Sequence, residues 1–228
     1  MIKFYLLIFL MLITPSKLAI AGDTPELIQS SQTVSRLHQK SRNSAVKVRG
    51  INGGHGSGTY IKIGNRYGVL TARHVVDSDT LFIVEGEGDS AVGRVVYSSE
   101  NNDIALIEIA GLRNATPINI GDIEVFDYEF GETVVYSGYP SSYDKLTSTG
   151  IVSGYEKSEN AVICQGFAWP GSSGSGAFTT GGDLVGVLYA VGVETFYVPE
   201  IIETLVYVVP LDRLEIVNIR RALEESRE

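Results

Sequence analysis

The segment WPGSSGSG at residues 169–176 is the most specific stretch of the sequence. Glycines on both sides of Ser173 let the backbone turn tightly and leave amide N–H groups free. Composition alone would also allow a flexible Gly/Ser loop. A nucleophilic serine needs such amides, because its attack on a carbonyl creates an oxyanion that fixed donors must stabilise. We therefore predict Ser173 as a nucleophile, with the N–H groups of Gly171 and Ser173 forming the oxyanion hole.

Two earlier segments supply the groups that such a serine requires. His74 follows a strand-like run in VLTARHVV (69–76), and Asp103 stands between a polar turn and an apolar run in NNDIALI (101–107). Each segment alone would suit a structural histidine or a turn aspartate. A serine hydroxyl needs an imidazole to accept its proton, and the imidazole needs a carboxylate on its other nitrogen. Together the segments predict His74 as the general base and Asp103 as its orienting carboxylate.

The rest of the sequence predicts a series of closely spaced β-strands. From Ala45 onward, short runs rich in Val, Ile, Tyr and Thr alternate with Gly, Asn, Asp and Ser clusters. This pattern, with no long helical period between the runs, predicts an all-β barrel or sandwich. Residues 24–42 have loosely helical spacing, and the apolar period becomes helical again after Pro210. A boundary between two units is expected near residues 113–122, where Asn, Pro and Gly interrupt the strands.

Composition narrows the function classes. With 228 residues, 44% of them hydrophobic, the chain can build a folded core and is not typical of disordered proteins. The net charge of −9 disfavours binding to nucleic acid. Cys164 is the only cysteine, so no disulfide can form within the chain, and we expect a small buried apolar residue. His55 has no second ligand at a useful spacing, so neither a metal nor a cofactor is predicted.

The N-terminus has the pattern of an export signal. Lys3 precedes the apolar run 4–13, and Ala19-Ile20-Ala21 follows it. This predicts a signal peptide, residues 1–21, cleaved after Ala21, and a secreted or periplasmic protein without stable membrane insertion afterwards. The apolar run falls well short of the roughly 20 residues that a spanning helix needs. An uncleaved anchor is the alternative.

The chain order of the three groups points to one family. His, Asp, Ser is the order of chymotrypsin-type enzymes, whereas α/β-hydrolases have Ser, Asp, His. The sequence resembles the trypsin/chymotrypsin superfamily, and most of all its HtrA-type and other bacterial trypsin-like members. The matching motifs are GSG (56–58), LTARHVV (70–76), NNDIALIEI (101–109), SGYP (137–140), TGIVSG (149–154) and PGSSGSG (170–176). HtrA-type enzymes usually continue into a PDZ domain, and we expect none here because the chain ends soon after the last motif.

The resemblance implies two packed antiparallel six-stranded β-barrels, with His74 and Asp103 on the first, Ser173 on the second, and the active site between them. The predicted domain organisation is a signal peptide at 1–21, an N-terminal helical segment at 22–44, the first barrel at 45–120, the second barrel at 121–210 and a C-terminal helix at 211–228.

The resemblance also suggests where substrate would bind. Phe167 would lie near the base of the first specificity pocket, and Tyr189-Ala190-Val191 resembles the strand that pairs with the substrate backbone. No acidic residue stands at the pocket base, so cleavage after Arg or Lys is disfavoured. We expect a shallow apolar pocket that takes small or medium aliphatic side chains.

The function predicted from the sequence is therefore an exported serine endopeptidase that acts on protein or peptide substrates through an acyl-enzyme on Ser173. Two alternatives remain open. One is a peptide-binding module on a protease fold with weak or no catalysis, which would be marked by loss of a triad member or of the oxyanion glycines. The other is a serine esterase acting on small esters.

Overall fold

The computed structural model describes residues 36, 38–51, 53–120, 125, 127–195 and 199–226. The predicted signal peptide at 1–21 lies outside the described residues, as does most of the predicted helical segment at 22–44. Side chains at 190, 193–195 and 199–201 are also outside the description.

The first half of the structure is a closed β-barrel. Its strands run in the order β1-β4-β5-β6-β3-β2, and the pairing of β1 with β2 closes the ring. All of these pairings are antiparallel, and a short β7 adds to β2 in parallel. The strands are β1 Ala45–Gly50, β2 His55–Ile63, β3 Arg66–Thr71, β4 Leu81–Gly86, β5 Asp89–Ser98, β6 Ala105–Ile109 and β7 Ile118–Asn119. Their Val and Ile residues suit a pleated surface with one face buried.

The second half is another closed barrel, with strand order β10-β13-β12-β11-β8-β9 and antiparallel pairing throughout. Its strands are β8 Thr133–Gly138, β9 Leu146–Glu156, β10 Ala161–Gln165, β11 Gly176–Thr179, β12 Leu184–Thr195 and β13 Pro199–Pro210. The predicted fold of two six-stranded antiparallel barrels is confirmed. The exact domain boundaries, at 120/121 and 210/211, stay predictions.

Helices flank the two barrels, as the sequence predicts. Helix α1 covers residues 38–44 and leads directly into β1. Helix α2, Arg213–Glu225, begins after Asp212, whose side chain accepts a hydrogen bond from the backbone N–H of Glu215 at 2.8 Å. Such a cap satisfies an N–H that the first turn leaves unpaired. Within the described residues, no helix is both long enough and apolar enough to cross a bilayer.

A shared apolar core joins α2 to both barrels. It contains Leu106 of β6, Phe178 of β11 and Leu223 of α2, all nearly or fully buried. Leu223 reaches β3, where its Cδ1 lies close to the Cα hydrogens of Gly68. Cys164 is buried in the separate core of the second barrel, and burial raises the pKa of its thiol to about 12. It therefore behaves as the small apolar residue that we predicted.

The packing of α2 can be tested with two identical changes on one helix. Leu223→Ala should lower the free energy of unfolding by about 2–5 kcal/mol, because it empties a fully buried site. Leu214→Ala is the control, since Leu214 is 62% exposed and its loss should change stability by less than about 0.5 kcal/mol. Urea unfolding of both variants is the measurement. Equal losses would contradict the described position of α2.

Candidate active site

His74 and Asp103 meet because their strands are neighbours. His74 lies in the short 3₁₀ helix Arg73–Val75 that follows β3, and Asp103 lies just before β6. Since β3 pairs with β6 in antiparallel register, the end of one strand lies beside the start of the other. The two oxygens of Asp103 contact the His74 ring Nδ1 at 2.5 Å and the His74 backbone N–H at 2.9 Å. The carboxylate thus holds both the position and the orientation of the imidazole.

Each member of this pair shifts the pKa of the other. The hydrogen bond to Asp103 raises the pKa of His74; partial burial opposes that rise, and the charges of Asp103 and Asp77 add to it. Burial by itself would raise the pKa of Asp103, but the hydrogen bonds from the His74 ring and backbone outweigh burial and lower it. Asp103 therefore stays ionised at neutral pH. With Nδ1 engaged by Asp103, Nε2 of His74 is the nitrogen available to take up a proton.

Ser173 lies in the loop between β10 and β11, and its hydroxyl donates to the carbonyl of Tyr189 at 3.2 Å. Within the described residues it makes no hydrogen bond to His74. The reason lies in β12: Leu188 pairs with Val208 and Ala190 with Tyr207, so Tyr189 is skipped in the ladder. Such a bulge leaves a carbonyl without a strand partner. The structure thus joins His74 to Asp103 but directs the Ser173 hydroxyl to the Tyr189 carbonyl.

Ser57, a fully buried residue of β2, ties the Ser173 loop to the first barrel. Its backbone N–H donates to the carbonyl of Ser173 at 2.7 Å, and its hydroxyl donates to the carbonyl of Gly171 at 2.7 Å. The same hydroxyl accepts from the N–H of Tyr139 at 2.8 Å. Its carbonyl accepts from the hydroxyl of Thr71, at the end of the strand that leads to His74. One residue therefore positions segments from both barrels.

Two glycines make this close approach possible. A Cβ on Gly56 would lie 2.6 Å from Val75 and 3.0 Å from the carbonyl oxygen of Ser173. Gly174 has φ +93°, and a Cβ there would collide with the carbonyl of Ser57. Val75, the neighbour of His74, and Ser173 thus pack against the same glycine. The segments that carry His74 and Ser173 therefore meet at Gly56.

The peptide that contains the Gly171 N–H is held from the loop between β8 and β9. The carbonyl of Pro170 accepts from the N–H of Ser141 at 2.7 Å. Since N–H and C=O point in opposite directions in a trans peptide, this bond directs the Gly171 N–H away from Ser141. Gly171 has φ +95°, and a Cβ there would lie 2.7 Å from the Tyr139 carbonyl, which also contacts His55 Nε2 at 3.1 Å. In the part of the chain that the structure describes, the Gly171 N–H has no acceptor.

The peptide that contains the Ser173 N–H is held by a turn. The carbonyl of Ser172 accepts from the N–H of Ser175 at 3.0 Å, and the N–H of Gly174 donates to the carbonyl of Leu188 at 2.6 Å. These bonds orient the peptide before Ser173 and leave its N–H without an acceptor among the described residues. Both predicted oxyanion-hole amides thus lack an acceptor among the described residues.

A small cavity of about 30 Å³ adjoins Ser173. Of the predicted substrate-binding residues, Val191 lines it, while Phe167 lies on a second cavity of about 20 Å³. Tyr189 contributes its carbonyl, and the side chain of Ala190 is outside the description. Five other residues line the first cavity and were not predicted to bind substrate: Ala168, Trp169, Pro170, Ser172 and Leu188.

Aromatic rings form a wall beside this cavity. Trp169 stacks on Tyr143 with 5.5 Å between ring centroids, and Phe167 meets Trp169 edge to face at 4.9 Å. Aromatic pairs in these arrangements hold one another in place. Trp169 is therefore held in place by its neighbours. In the sequence, the only signal for this role is the position of Trp169 next to the Gly/Ser motif.

The double barrel and the residues of its cleft define the class of trypsin-like serine proteases. A family model described as a trypsin-like peptidase domain matches residues 56–187, and the chain belongs to this family. The resemblance to HtrA-type enzymes is confirmed by the relatives that the chain matches.

Two curated relatives and one solved structure illustrate the likeness. The chain is 29% identical over 168 residues to the periplasmic serine endoprotease DegP of Salmonella typhimurium, covering 66% of this chain and 35% of that protein. It is 30% identical over 144 residues to Escherichia coli K12 DegP, covering 60% and 30%. A serine endoprotease structure from Yersinia pestis has a TM-score of 0.66 at 21% identity, covering 85% of this chain and 67% of that one. The chain thus matches about a third of the length of the two DegP proteins.

The His74–Asp103 contact makes a prediction about pH. The pKa of His74 in the folded protein should lie above about 6.5, and Asp103→Asn should lower it. Because the folded pKa is raised, the pair stabilises the fold fully below the unfolded pKa, and this contribution is lost as pH rises through the folded pKa. NMR titration of the ring nitrogens measures it. An unchanged His74 pKa in Asp103→Asn would refute the contact.

Proposed function

We propose that the protein is an exported serine endopeptidase that hydrolyses peptide bonds through an acyl-enzyme on Ser173. Family membership supports the reaction class. The observation that carries the proposal is the bond between His74 Nδ1 and Asp103, because it leaves Nε2 of His74 free to act as a base. The approach of Val75 and Ser173 to the same glycine supports Ser173 as the partner of that base. These are the parts that acyl transfer by a serine requires.

The first step begins with a rotation of the Ser173 side chain, which moves its hydroxyl from the Tyr189 carbonyl to Nε2 of His74. Side-chain rotations of this kind are fast compared with enzymatic turnover. Ser173 Oγ then attacks the substrate carbonyl carbon while its proton passes to His74. The carbonyl oxygen becomes an oxyanion that accepts hydrogen bonds from the N–H groups of Gly171 and Ser173.

The second half of the reaction returns the enzyme to its starting state. His74 donates its proton to the amide nitrogen, the C–N bond breaks, and the amine product leaves the acyl-enzyme. His74 next takes a proton from water, which attacks the acyl carbon, and the proton returns to Ser173 as the acid product leaves. Asp103 stabilises the imidazolium in each step and remains ionised.

Strand β12 offers a place for an extended peptide. Its pairing with β11 ends at Val187, whereas its pairing with β13 continues through Ala190 and Val191. Within the described residues, the other edge beyond Val187 has no strand partner. An extended substrate can add to such an edge through main-chain hydrogen bonds. The Tyr189 carbonyl, once released by the Ser173 hydroxyl, would accept one of them.

The cavity beside Ser173 suggests the preferred substrate side chain. Its volume is only about 30 Å³, and Ala168, Leu188 and Val191 give it an apolar lining. Neither an acidic side chain nor space for a long one is present there. We propose a preference for small or medium aliphatic side chains at the residue before the cleaved bond.

A second candidate follows from the Ser173 hydroxyl itself. Because it bonds to Tyr189 and not to His74, the chain could be a peptide-binding module with weak or no catalysis.

Export, through the predicted signal peptide at 1–21, and a periplasmic or secreted location are part of the main proposal. The DegP relatives are named as periplasmic, which supports that location.

The nucleophile can be tested with a matched pair of serine variants. Ser173→Ala should lower peptide turnover by about 10⁴-fold or more, because triad members act as one unit. Ser153→Ala, an exposed serine on β9, should leave turnover unchanged. A fluorophosphonate probe should label the wild-type protein at Ser173 alone. Labelling elsewhere, or full activity in Ser173→Ala, would reject Ser173 as the nucleophile, and turnover of simple esters without peptides would favour an esterase.

The specificity proposal has its own test in a positional peptide library. The wild-type protein should prefer small or medium aliphatic residues before the cleaved bond. Trp169→Ala removes the aromatic wall, so the preference should broaden toward larger apolar residues. Cleavage sites identified by mass spectrometry report both results. A strong wild-type preference for Arg or Lys would show that the proposed pocket is wrong.

A further inference from the structure

Glu215, in the first turn of α2, is a charged residue that is only 3% exposed. A buried carboxylate is costly unless it is fully hydrogen-bonded. Glu215 accepts hydrogen bonds from the hydroxyl of Tyr97 at 2.8 Å, the hydroxyl of Ser99 at 2.6 Å and the side-chain amide of Asn102 at 2.8 Å. All three donors lie on the segment that leads from β5 to Asp103. One carboxylate therefore binds three side chains of that segment.

The bonds within this segment close it into a turn. The Ser99 N–H donates to the carbonyl of Ile104 at 2.9 Å, and the Ser99 hydroxyl accepts from the N–H of Asn102 at 3.2 Å. The Asn102 side-chain oxygen accepts from the amide of Asn160 at 3.1 Å, which leaves the Asn102 amide nitrogen for Glu215. Asp103 lies inside this turn, so any shift of Ser99 or Asn102 would move it.

The same turn is also connected to the histidine. The guanidinium of Arg73, the residue before His74, donates to the carbonyl of Ser99 at 3.1 Å. Ser99 is thus bonded to the neighbour of the base through its carbonyl and to Glu215 through its hydroxyl. The turn therefore acts on the separation of His74 and Asp103 in addition to the pairing of β3 with β6.

Helix α2 provides a rigid base for Glu215. Its N-terminus is capped by Asp212, and its buried face, which includes Ile216, Ile219 and Leu223, lies in the shared core. A side chain on such an element is held more precisely than one on a loop. The helix therefore fixes the position of the Glu215 carboxylate, and the carboxylate fixes the turn through its hydrogen bonds.

We propose that Glu215 is a positioning residue, which sets the Asp103 carboxylate against His74 by holding Ser99 and Asn102. It contacts neither a substrate nor the reacting atoms. Its effect on turnover rests on the proposed peptidase function, but its effect on the His74–Asp103 contact does not. A purely structural role for Glu215 would change the stability of the protein and leave that contact intact.

NMR of the His74 ring tests the geometry without any need for catalysis. In Glu215→Leu, the His74 pKa should fall toward its ordinary value, because Asp103 is no longer held in place. Glu215→Gln should keep the wild-type titration, since its oxygen can accept from Ser99 and Asn102 while its amide donates to Tyr97. Leu223→Ala, which destabilises the same helix, should also titrate as wild type, and comparison with His74→Ala assigns the resonance.

Kinetics of the folded variants give the second readout. Glu215→Leu should lower kcat by about 10²-fold with little change in KM, as expected for misplacement of a catalytic group. Glu215→Gln and Leu223→Ala should keep kcat near wild type under conditions where circular dichroism shows them folded. If Glu215→Leu does not fold, Asn102→Ala replaces it, because it cuts the link to the turn and leaves Glu215 in place.

The outcomes separate the two proposals. A wild-type His74 pKa and kcat in Glu215→Leu, or in Asn102→Ala where that variant is used, would overturn the positioning role. So would a Glu215→Gln variant that behaves like Glu215→Leu. If the wild-type protein neither cleaves peptides nor reacts with a fluorophosphonate at Ser173, the peptidase proposal fails, and the NMR titrations still decide the role of Glu215.

Discussion

Ser57 donates hydrogen bonds from both its backbone and its side chain to carbonyls of the loop that carries Ser173. Its own carbonyl is bonded to Thr71, at the end of the strand before His74. The contact is possible only because Gly56 and Gly174 have no side chain to separate the two backbones. The segments that carry His74 and Ser173, which belong to different barrels, are thus joined at one backbone junction. The rest of the cleft is arranged around that junction.

The carboxylates of Asp103, which is partly exposed, and Glu215, which is buried, have different partners. Asp103 is paired with the ionisable ring of His74, so its position carries chemical consequences. Glu215 accepts hydrogen bonds from three neutral donors, which suits a structural anchor. The turn around Ser99 lies between the two carboxylates. Helix α2 thereby helps to hold the turn of the first barrel that carries Asp103.

Some parts of the site could be predicted from the sequence, and others could not. The segments around His74, Asp103 and Ser173 are visible because each combines a reactive side chain with a local pattern of glycines or strand residues. The roles of Ser57 and Glu215 were missed, since a lone serine in a strand and a lone glutamate in a helix have no distinctive neighbours. The direction of the Ser173 hydroxyl was also missed, because it depends on a bulge at Tyr189.

The sequence by itself determined the all-β class, the terminal helices and the three segments that bear the candidate catalytic groups. These follow from short-range causes: side-chain alternation, turn residues and the freedom of glycine near Ser173. Only the tertiary structure decided which groups touch, how small the cavity beside Ser173 is, and that α2 supports Asp103. The contacts of Ser57 with Gly171 and of Ser99 with Glu215 join residues more than a hundred positions apart, so they arise from tertiary packing and not from any local pattern.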